Sequence, residues 1–450
     1  MNRPGRDDRI PWRWQRRATE HIAVTLGLAV IGSMVASPTQ ATRGGARLGA
    51  QVRVVTGITV LLEDSIGLVR GRRVGLLTNQ TGIDLTGASD ASLLFRSARA
   101  VAAGVKVVAL FSPEHGMRGT EDRQNLAGGL DTGTSVPVYS LYGATVLEPP
   151  DSLLRGLDVF VIDLQDIGTR TWTYVASMLY AMRAAAHVHL PVVVLDRPNP
   201  ITGTHADGPL LDPQLANPEA GRPGHPARPF ALAPIPLRHG LTMGELARYF
   251  NAELQLRAKL HVVPARGWRR ALWYDETGLP WVRPSPNLPS LTSALLYPAL
   301  VAFEGSNVSV GRGTDDAFQH LGAPWLDADR LVALLGGRHL PGVRFVAERM
   351  TPLAPTDGKY PGRDIPAIRL VVTDREAVEP GRVCAALLWG LGLLHADSLR
   401  LDTLAFDLRF GSPGARRALL RGQDPDVVVD RDRARVRAFT ARTRRYHLYN

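Results

Sequence analysis

From about residue 52 onward the chain repeats one pattern: a short run of Val, Leu and Ile, a polar loop carrying Gly, Pro or Asn, then a stretch with helical spacing. Short apolar runs suit strands covered on both faces, and their alternation with helices marks an α/β fold with a mostly parallel sheet. The runs at 73–77, 106–111, 159–163 and 191–195 lead into Thr78-Asn-Gln-Thr-Gly82, Ser112-Pro-Glu-His-Gly116, Leu164-Gln-Asp-Ile-Gly-Thr-Arg170 and Asp196-Arg-Pro-Asn-Pro-Ile-Thr-Gly203. Between the third and fourth runs, Val175, Met178, Leu179, Met182 and Ala186 recur at helical spacing and predict a crossover helix over 173–187. Ligands of open α/β sheets bind beyond the carboxyl ends of the strands, so the four loops are expected at one cleft.

This pattern predicts a Rossmann-like, mostly parallel catalytic domain over 52–280 and a smaller α+β domain over 281–450 that contributes to the cleft. The boundary falls where Pro284, Pro286 and Pro289 change the texture. Thr242-Met-Gly-Glu245 reads as a capping box opening a helix. Helices are expected at 328–335 and 381–394, a strand at 366–373, and a solvated Arg-rich helix near 431–445. The proline-rich stretch 207–233 has little periodicity and reads as a surface excursion.

The first 21 residues carry Arg3, Arg6, Arg9, Arg13, Arg16 and Arg17, and 22–36 is uncharged and mostly apolar. With Ala36-Ser-Pro-Thr-Gln-Ala41 behind it, the segment 1–41 reads as an export signal, too short in its apolar part to span a membrane. No membrane span is expected after its removal, and the mature chain is expected in the periplasm or outside the cell. The net charge of +11 comes from arginine scattered along the chain, since only Lys106, Lys259 and Lys359 of the 53 basic residues are lysine. Scatter without a recognisable module argues against nucleic acid as a partner. Cys384 is the only cysteine, so no intrachain disulfide can form, and its apolar neighbours suit a buried thiol.

Glu114 and His115 follow directly on an apolar strand, where the loop carries them to the cleft mouth. A carboxyl partly shielded from water there can act as a general acid, or it can cap a helix or pair with Arg118. Asp163 and Asp166 also stand at a strand end, with Arg170 behind them, as a carboxylate pair with an anion clamp or as a structural ion network. Asp163 reads better as structural; Arg170 has the fork that matches a carboxylate. Tyr174 can stack on a sugar, while Asn79 and Asn199 suit hydroxyl or amide recognition, and His239 suits a positioning role. Glu304, Asn307 and Arg312 lie in a glycine-rich loop that lacks both common nucleotide-binding patterns, so no cofactor is expected. No metal site is expected either, because His187 and His189 are spaced to opposite sides of a helix.

Several segments resemble the exo-β-N-acetylmuramidases, a family long known as a domain of unknown function. They are Leu77-Thr-Asn-Gln-Thr-Gly82, Phe111-Ser-Pro-Glu-His-Gly116, Asp163-Leu-Gln-Asp-Ile-Gly-Thr-Arg170, Asp196-Arg-Pro-Asn-Pro-Ile-Thr-Gly203, Pro236-Leu-Arg-His-Gly-Leu-Thr242, Pro284-Ser-Pro-Asn-Leu-Pro289 and Glu304-Gly-Ser-Asn-Val-Ser-Val-Gly-Arg-Gly-Thr314. The resemblance runs from about residue 54 to the C-terminus. It implies a Rossmann-like domain with a smaller C-terminal one, removal of N-acetylmuramic acid from non-reducing ends of peptidoglycan fragments, and no nucleotide cofactor. It also places the family's proposed catalytic glutamate on Glu114. A muramic acid lactyl carboxylate would then be held by Arg170 or Arg312. The chain departs from the pattern in a longer excursion over 212–234 and in Asp315-Asp316-Ala317 after the glycine-rich turn. Two other readings share the same cleft: a hydrolase or transferase acting on another sugar, and a non-catalytic peptidoglycan-binding protein.

Overall fold

The apolar runs form strands in the computed structural model, which describes residues 53–122, 128–143, 147–222, 225 and 228–450. The segment 1–41 lies outside the described residues. The strands are β1 (Arg73–Thr78), β2 (Lys106–Ser112), β3 (Gly129–Leu130), β4 (Pro137–Ser140), β5 (Val159–Asp163), β6 (Val192–Leu195), β7 (Asp207–Leu210), β8 (Pro236–Arg238), β9 (Leu260–Val263), β10 (His320–Gly322), β11 (Val343–Met350) and β12 (Ile365–Val372). Seven of them make one sheet in the order β3-β4-β2-β1-β5-β6-β9, parallel except for the short edge strand β3. Counting the parallel strands alone, the spatial order is the 3-2-1-4-5-6 of the doubly wound dinucleotide-binding folds. The order reverses between β1 and β5, whose register pairs Thr78 with Asp163.

The crossover helix Thr173–His187 buries every residue from Thr173 to Ala185. A helix apolar on all sides needs cover on all sides, and here the later part of the chain supplies it. One continuous apolar cluster runs from Leu77 through the crossover helix to Ala294, Leu387 and Tyr446. Each fully buried Leu or Phe in it contributes about 1.5–3 kcal/mol. The capping box forms: the Glu245 amide donates to Thr242 Oγ1 (3.3 Å) and the Thr242 amide to Glu245 Oε2 (3.1 Å), opening the helix Met243–Glu253.

After residue 290 the chain forms a three-stranded antiparallel sheet, β10-β12-β11, with helices Ala328–Gly336, Pro380–Leu394 and Pro425–Thr443. Cys384 is buried in the second of these, and burial pushes its thiol pKa up, away from reactivity. The last helix buries Val428, Val436 and Phe439 and leaves most of its arginines in solvent. Among the described residues no helix is long and apolar enough to cross a membrane.

One expectation needs correction. The stretch 207–233 is not a surface excursion: β7 pairs with β8, Leu211, Ala231, Leu232 and Ala233 are buried, and the Asp212 amide donates to Gly411 O at 2.8 Å. Gly208 and Gly381 sit so close that a Cβ on Gly381 would come within 2.2 Å of the Gly208 Cα. Proline density hid a seam whose periodicity is broken but whose apolar residues still find cover. The chain terminus is similarly bound in. Tyr449 donates its hydroxyl to Asp196 Oδ2 and receives the Ala265 amide, 2.7 and 2.8 Å, while the Leu448 amide donates to Glu245 Oε1 at 3.0 Å.

Candidate active site

β2 ends at Ser112, and Pro113 stops the ladder so that the chain turns out of the sheet at Glu114. His115 and Gly116 follow at φ of 69° and 72°. A left-handed backbone is ordinary for glycine and costly for histidine, and such outliers gather where a loop is held for a purpose. The His115 ring closes the loop on itself, with Nδ1 2.7 Å from Glu121 O and 3.6 Å from Asp122 Oδ1. The first residue of the crossover helix, Thr173, donates its hydroxyl to Glu114 Oε2. That fixes one carboxylate oxygen of a residue that lines the cavity. Tyr174 carries its hydroxyl to Pro284 O (2.6 Å) and lies 3.5 Å from Glu114 O, so it ties the acid's backbone to the proline-rich segment.

The facing wall comes from the later half of the chain. Helix Leu291–Leu300 runs into the 3-10 turn Val301–Gly305, which presents Glu304. Gly311 and Gly313, both at φ 80°, turn the chain back so that Arg312 meets it; a Cβ on Gly313 would lie 2.7 Å from the Pro355 nitrogen. Arg312 Nε donates to Glu304 Oε1 at 2.8 Å, and its Nη1 reaches Thr356 Oγ1 (3.2 Å) and Asp122 Oδ2 (3.3 Å). Arg409 Nε donates to Glu304 Oε2 at 3.3 Å. Burial works against a charge on Glu304, but Arg312 and Arg409 outweigh it and hold the pKa below the usual value. Asp122 is likewise lowered: burial opposes its charge, and Thr356, Arg312, His115 and the Asn287 amide (2.7 Å) overcome it. Glu304 and, from the Glu114 side, Asp122 thus balance the guanidiniums of Arg312 and Arg409.

Between these walls lies a cavity of about 270 Å³, lined by Glu114, His115, Trp172, Tyr297, Glu304 and Arg312 together with Asn287, Phe230, Arg409 and six others. Tyr297 feels the charges of Glu304, Arg312, Arg409 and Glu114, which places it between the two walls; burial first and Glu304 next push its phenol pKa up, so it stays neutral. Glu114, His115 and Asp122 are the one group of potential metal ligands gathered among the described residues, their atoms within 4.8 Å of one another. Asp122 is already engaged by the Asn287 amide and the Arg312 cation, an arrangement that satisfies its charge without an ion.

Of the residues picked from the sequence, the fold brings Glu114, His115, Glu304 and Arg312 to this cavity. The others lie elsewhere. Arg170 is 2% exposed, and its guanidinium donates to three carbonyls, Phe230 O (2.6 Å), Leu408 O (3.0 Å) and Arg409 O (2.7 Å). Burial lowers its pKa to about 9. The expected carboxylate fork is therefore an internal clamp on the cavity wall. Tyr174 is fully buried and cannot stack on a sugar. Asn79 and Asn199 each fold back on their own turns, accepting from the Thr81 amide (3.0 Å) and the Ile201 amide (3.1 Å). Asp166 accepts from the Gly168 amide at 2.7 Å and lies 3.2 Å from His239 Nε2. Asn307 joins the loop at 398–400, donating to Ser398 O and accepting from the Arg400 amide, both 2.9 Å. Asp163 forms a buried pair with Arg197, Oδ2 to Nη2 at 3.0 Å.

The sequence reading missed Asp122, Thr173, Asn287, Tyr297 and Arg409. Asn287 sat inside the quoted Pro284-Ser-Pro-Asn-Leu-Pro289 segment; Arg409 had no local signal among so many arginines.

Sheet order and site together define a Rossmann-like α/β protein with a cavity between a strand-end carboxyl and a carboxylate–arginine wall. The chain belongs to the exo-β-N-acetylmuramidase NamZ family: the N-terminal family model matches residues 74–292 and the C-terminal one residues 295–449. It is 36% identical over 429 residues to the peptidoglycan β-N-acetylmuramidase NamZ of Bacillus subtilis strain 168, covering 95% of this chain and 99% of that protein. Two DUF1343 family crystal structures from Bacteroides fragilis NCTC 9343 share the fold. One has a TM-score of 0.78 at 33% identity, covering 89% of this chain and all of that one. The other has a TM-score of 0.66 at 27% identity, covering 88% and 99%.

Proposed function

We propose that this chain is an exo-acting glycoside hydrolase that releases N-acetylmuramic acid from the non-reducing ends of peptidoglycan fragments, with Glu114 as general acid. The observation that carries the reading is the placement of Glu114: one carboxyl oxygen is held by Thr173 at a helix N-terminus, and the residue lines a cavity of about 270 Å³. That volume falls just below the usual range of ligand pockets, roughly 300–1,000 Å³, and suits one terminal sugar rather than a polymer threading through. Oε1 of Glu114 delivers its proton to the glycosidic oxygen as the bond to the anomeric carbon breaks. Proton delivery by a positioned acid accelerates such steps by about 10²–10⁴-fold. Reading 1–41 as an export signal places the enzyme where its polymer is found.

Incubation with a muramyl-glucosamine disaccharide, followed by mass spectrometry, tests this. Free N-acetylmuramic acid and N-acetylglucosamine are the expected products. Affinity without release would make the protein a binder, and internal fragments from long glycans would remove the exo assignment.

A further inference from the structure

We propose that Arg409 is the residue that recognises the lactyl carboxylate of the terminal muramic acid, and thereby selects muramyl over glucosaminyl ends. The proposal deepens the function above and rests on it.

Three guanidiniums approach the cavity, and only Arg409 keeps a whole terminal nitrogen without a partner among the described residues. Arg170 is closed off behind the wall, bound to three carbonyls. Arg312 lines the cavity, but Nε and Nη2 both serve Glu304, and Nη1 is shared between Thr356 and Asp122. Arg409 gives Nε to Glu304 at 3.3 Å and Nη1 to Ala405 O at 3.1 Å, and its Nη2 meets no partner among the described residues. A guanidinium has five N–H donors in a fixed fork, so an unengaged edge remains for a planar anion. The side chain is 17% exposed and the residue lines the cavity.

The group is also held in place, which is what recognition requires. Its Cζ lies 4.3 Å from the centre of the Phe230 ring. The carbonyls of both Phe230 and Arg409 are gripped by the same buried Arg170. Glu304 is shared by Arg312 and Arg409, with the closer contacts to Arg312. An arriving carboxylate can therefore take the fork of Arg409 while Glu304 stays neutralised by Arg312. A sugar without the lactyl group leaves that fork facing the ring unpaired, a loss that sites built around a charged group punish strongly.

The test compares a chromogenic β-N-acetylmuramide with the same glycoside whose lactyl carboxylate is a primary amide. Wild-type protein is expected to favour the acid by roughly 10- to 100-fold in kcat/KM. Arg409→Gln should lose most of that preference, the acid losing far more than the amide and through KM more than kcat. Arg409→Lys keeps the charge and loses the fork, so it should fall between the two, and it carries the test if the glutamine variant does not fold. A glutamine or lysine variant with the wild-type acid-to-amide ratio overturns the assignment. Wild-type protein inactive on both glycosides would instead bring down the muramidase reading, and this assignment with it.

Discussion

At the carboxyl ends of β1, β5 and β6 the polar side chains turn inward, whereas one strand away, at the end of β2, Glu114 is left half-buried on a cavity. The first region is the point where the strand order reverses, the place at which doubly wound folds take dinucleotides. Here it is filled by the chain itself: Asn79, Asp166, Asn199 and His239 are at most 3% exposed, and the Asp163–Arg197 pair lies behind them. A Cβ on Gly168 would come within 2.6 Å of Asn199 Oδ1, so the loops are in direct contact. The second region has Glu114 half-buried and lacks a far wall until Glu304, Arg312 and Arg409 provide one. The same kind of loop, at the same edge of the same sheet, serves as scaffold where neighbouring loops fill the space beside it and lines a cavity where they do not.

If this division is right, substitutions on the two sides should fail differently. Glu114→Gln should reduce kcat by about 10²–10⁴-fold with the thermal midpoint unchanged within a few degrees. Its full activity would remove the acid from β2's end. Asp163→Asn should leave Arg197 buried without its counter-charge and cost about 3–5 kcal/mol of stability, while the folded fraction turns over normally. Denaturation curves read alongside kcat distinguish this from a catalytic loss, which would mean that the filled crevice takes part in the reaction. The smallest effect concerns Asp196, which burial raises to about 6 despite bonds from Tyr449, Gly244 and Thr242. A carboxyl whose folded pKa exceeds its unfolded one holds its proton better when folded, so its contribution is complete below about pH 4 and is lost as pH rises through about 6. The thermal midpoint of wild type relative to Asp196→Asn should therefore decline between pH 4 and pH 6 and level off above. A difference that grows with pH would contradict the burial argument.

The alternation of apolar runs and polar loops was enough to locate the β1, β2, β5 and β6 strands, the crossover helix and Glu114. What strand-end position does not determine is which way a side chain turns. Asn79 and Asn199 had a local reason to turn inward, since each accepts the amide two residues on, a habit of asparagine at turns. Arg170 and Arg409 could not be told apart from their neighbours in sequence. Only packing decides that one meets three carbonyls and the other a cavity. The short strands β4 and β9 escaped notice because neither is long or strongly apolar.

Tyr449 reaches back 253 residues to Asp196, and Leu448 reaches 203 to Glu245. Contacts of such sequence separation form late and slowly. Strands β1 to β6 can pair among themselves first, but the acid at the end of β6 has to wait for Tyr449. Until residues 448 and 449 dock, this corner of the sheet is only provisionally closed, and its last fastening comes from the part of the chain most remote in sequence.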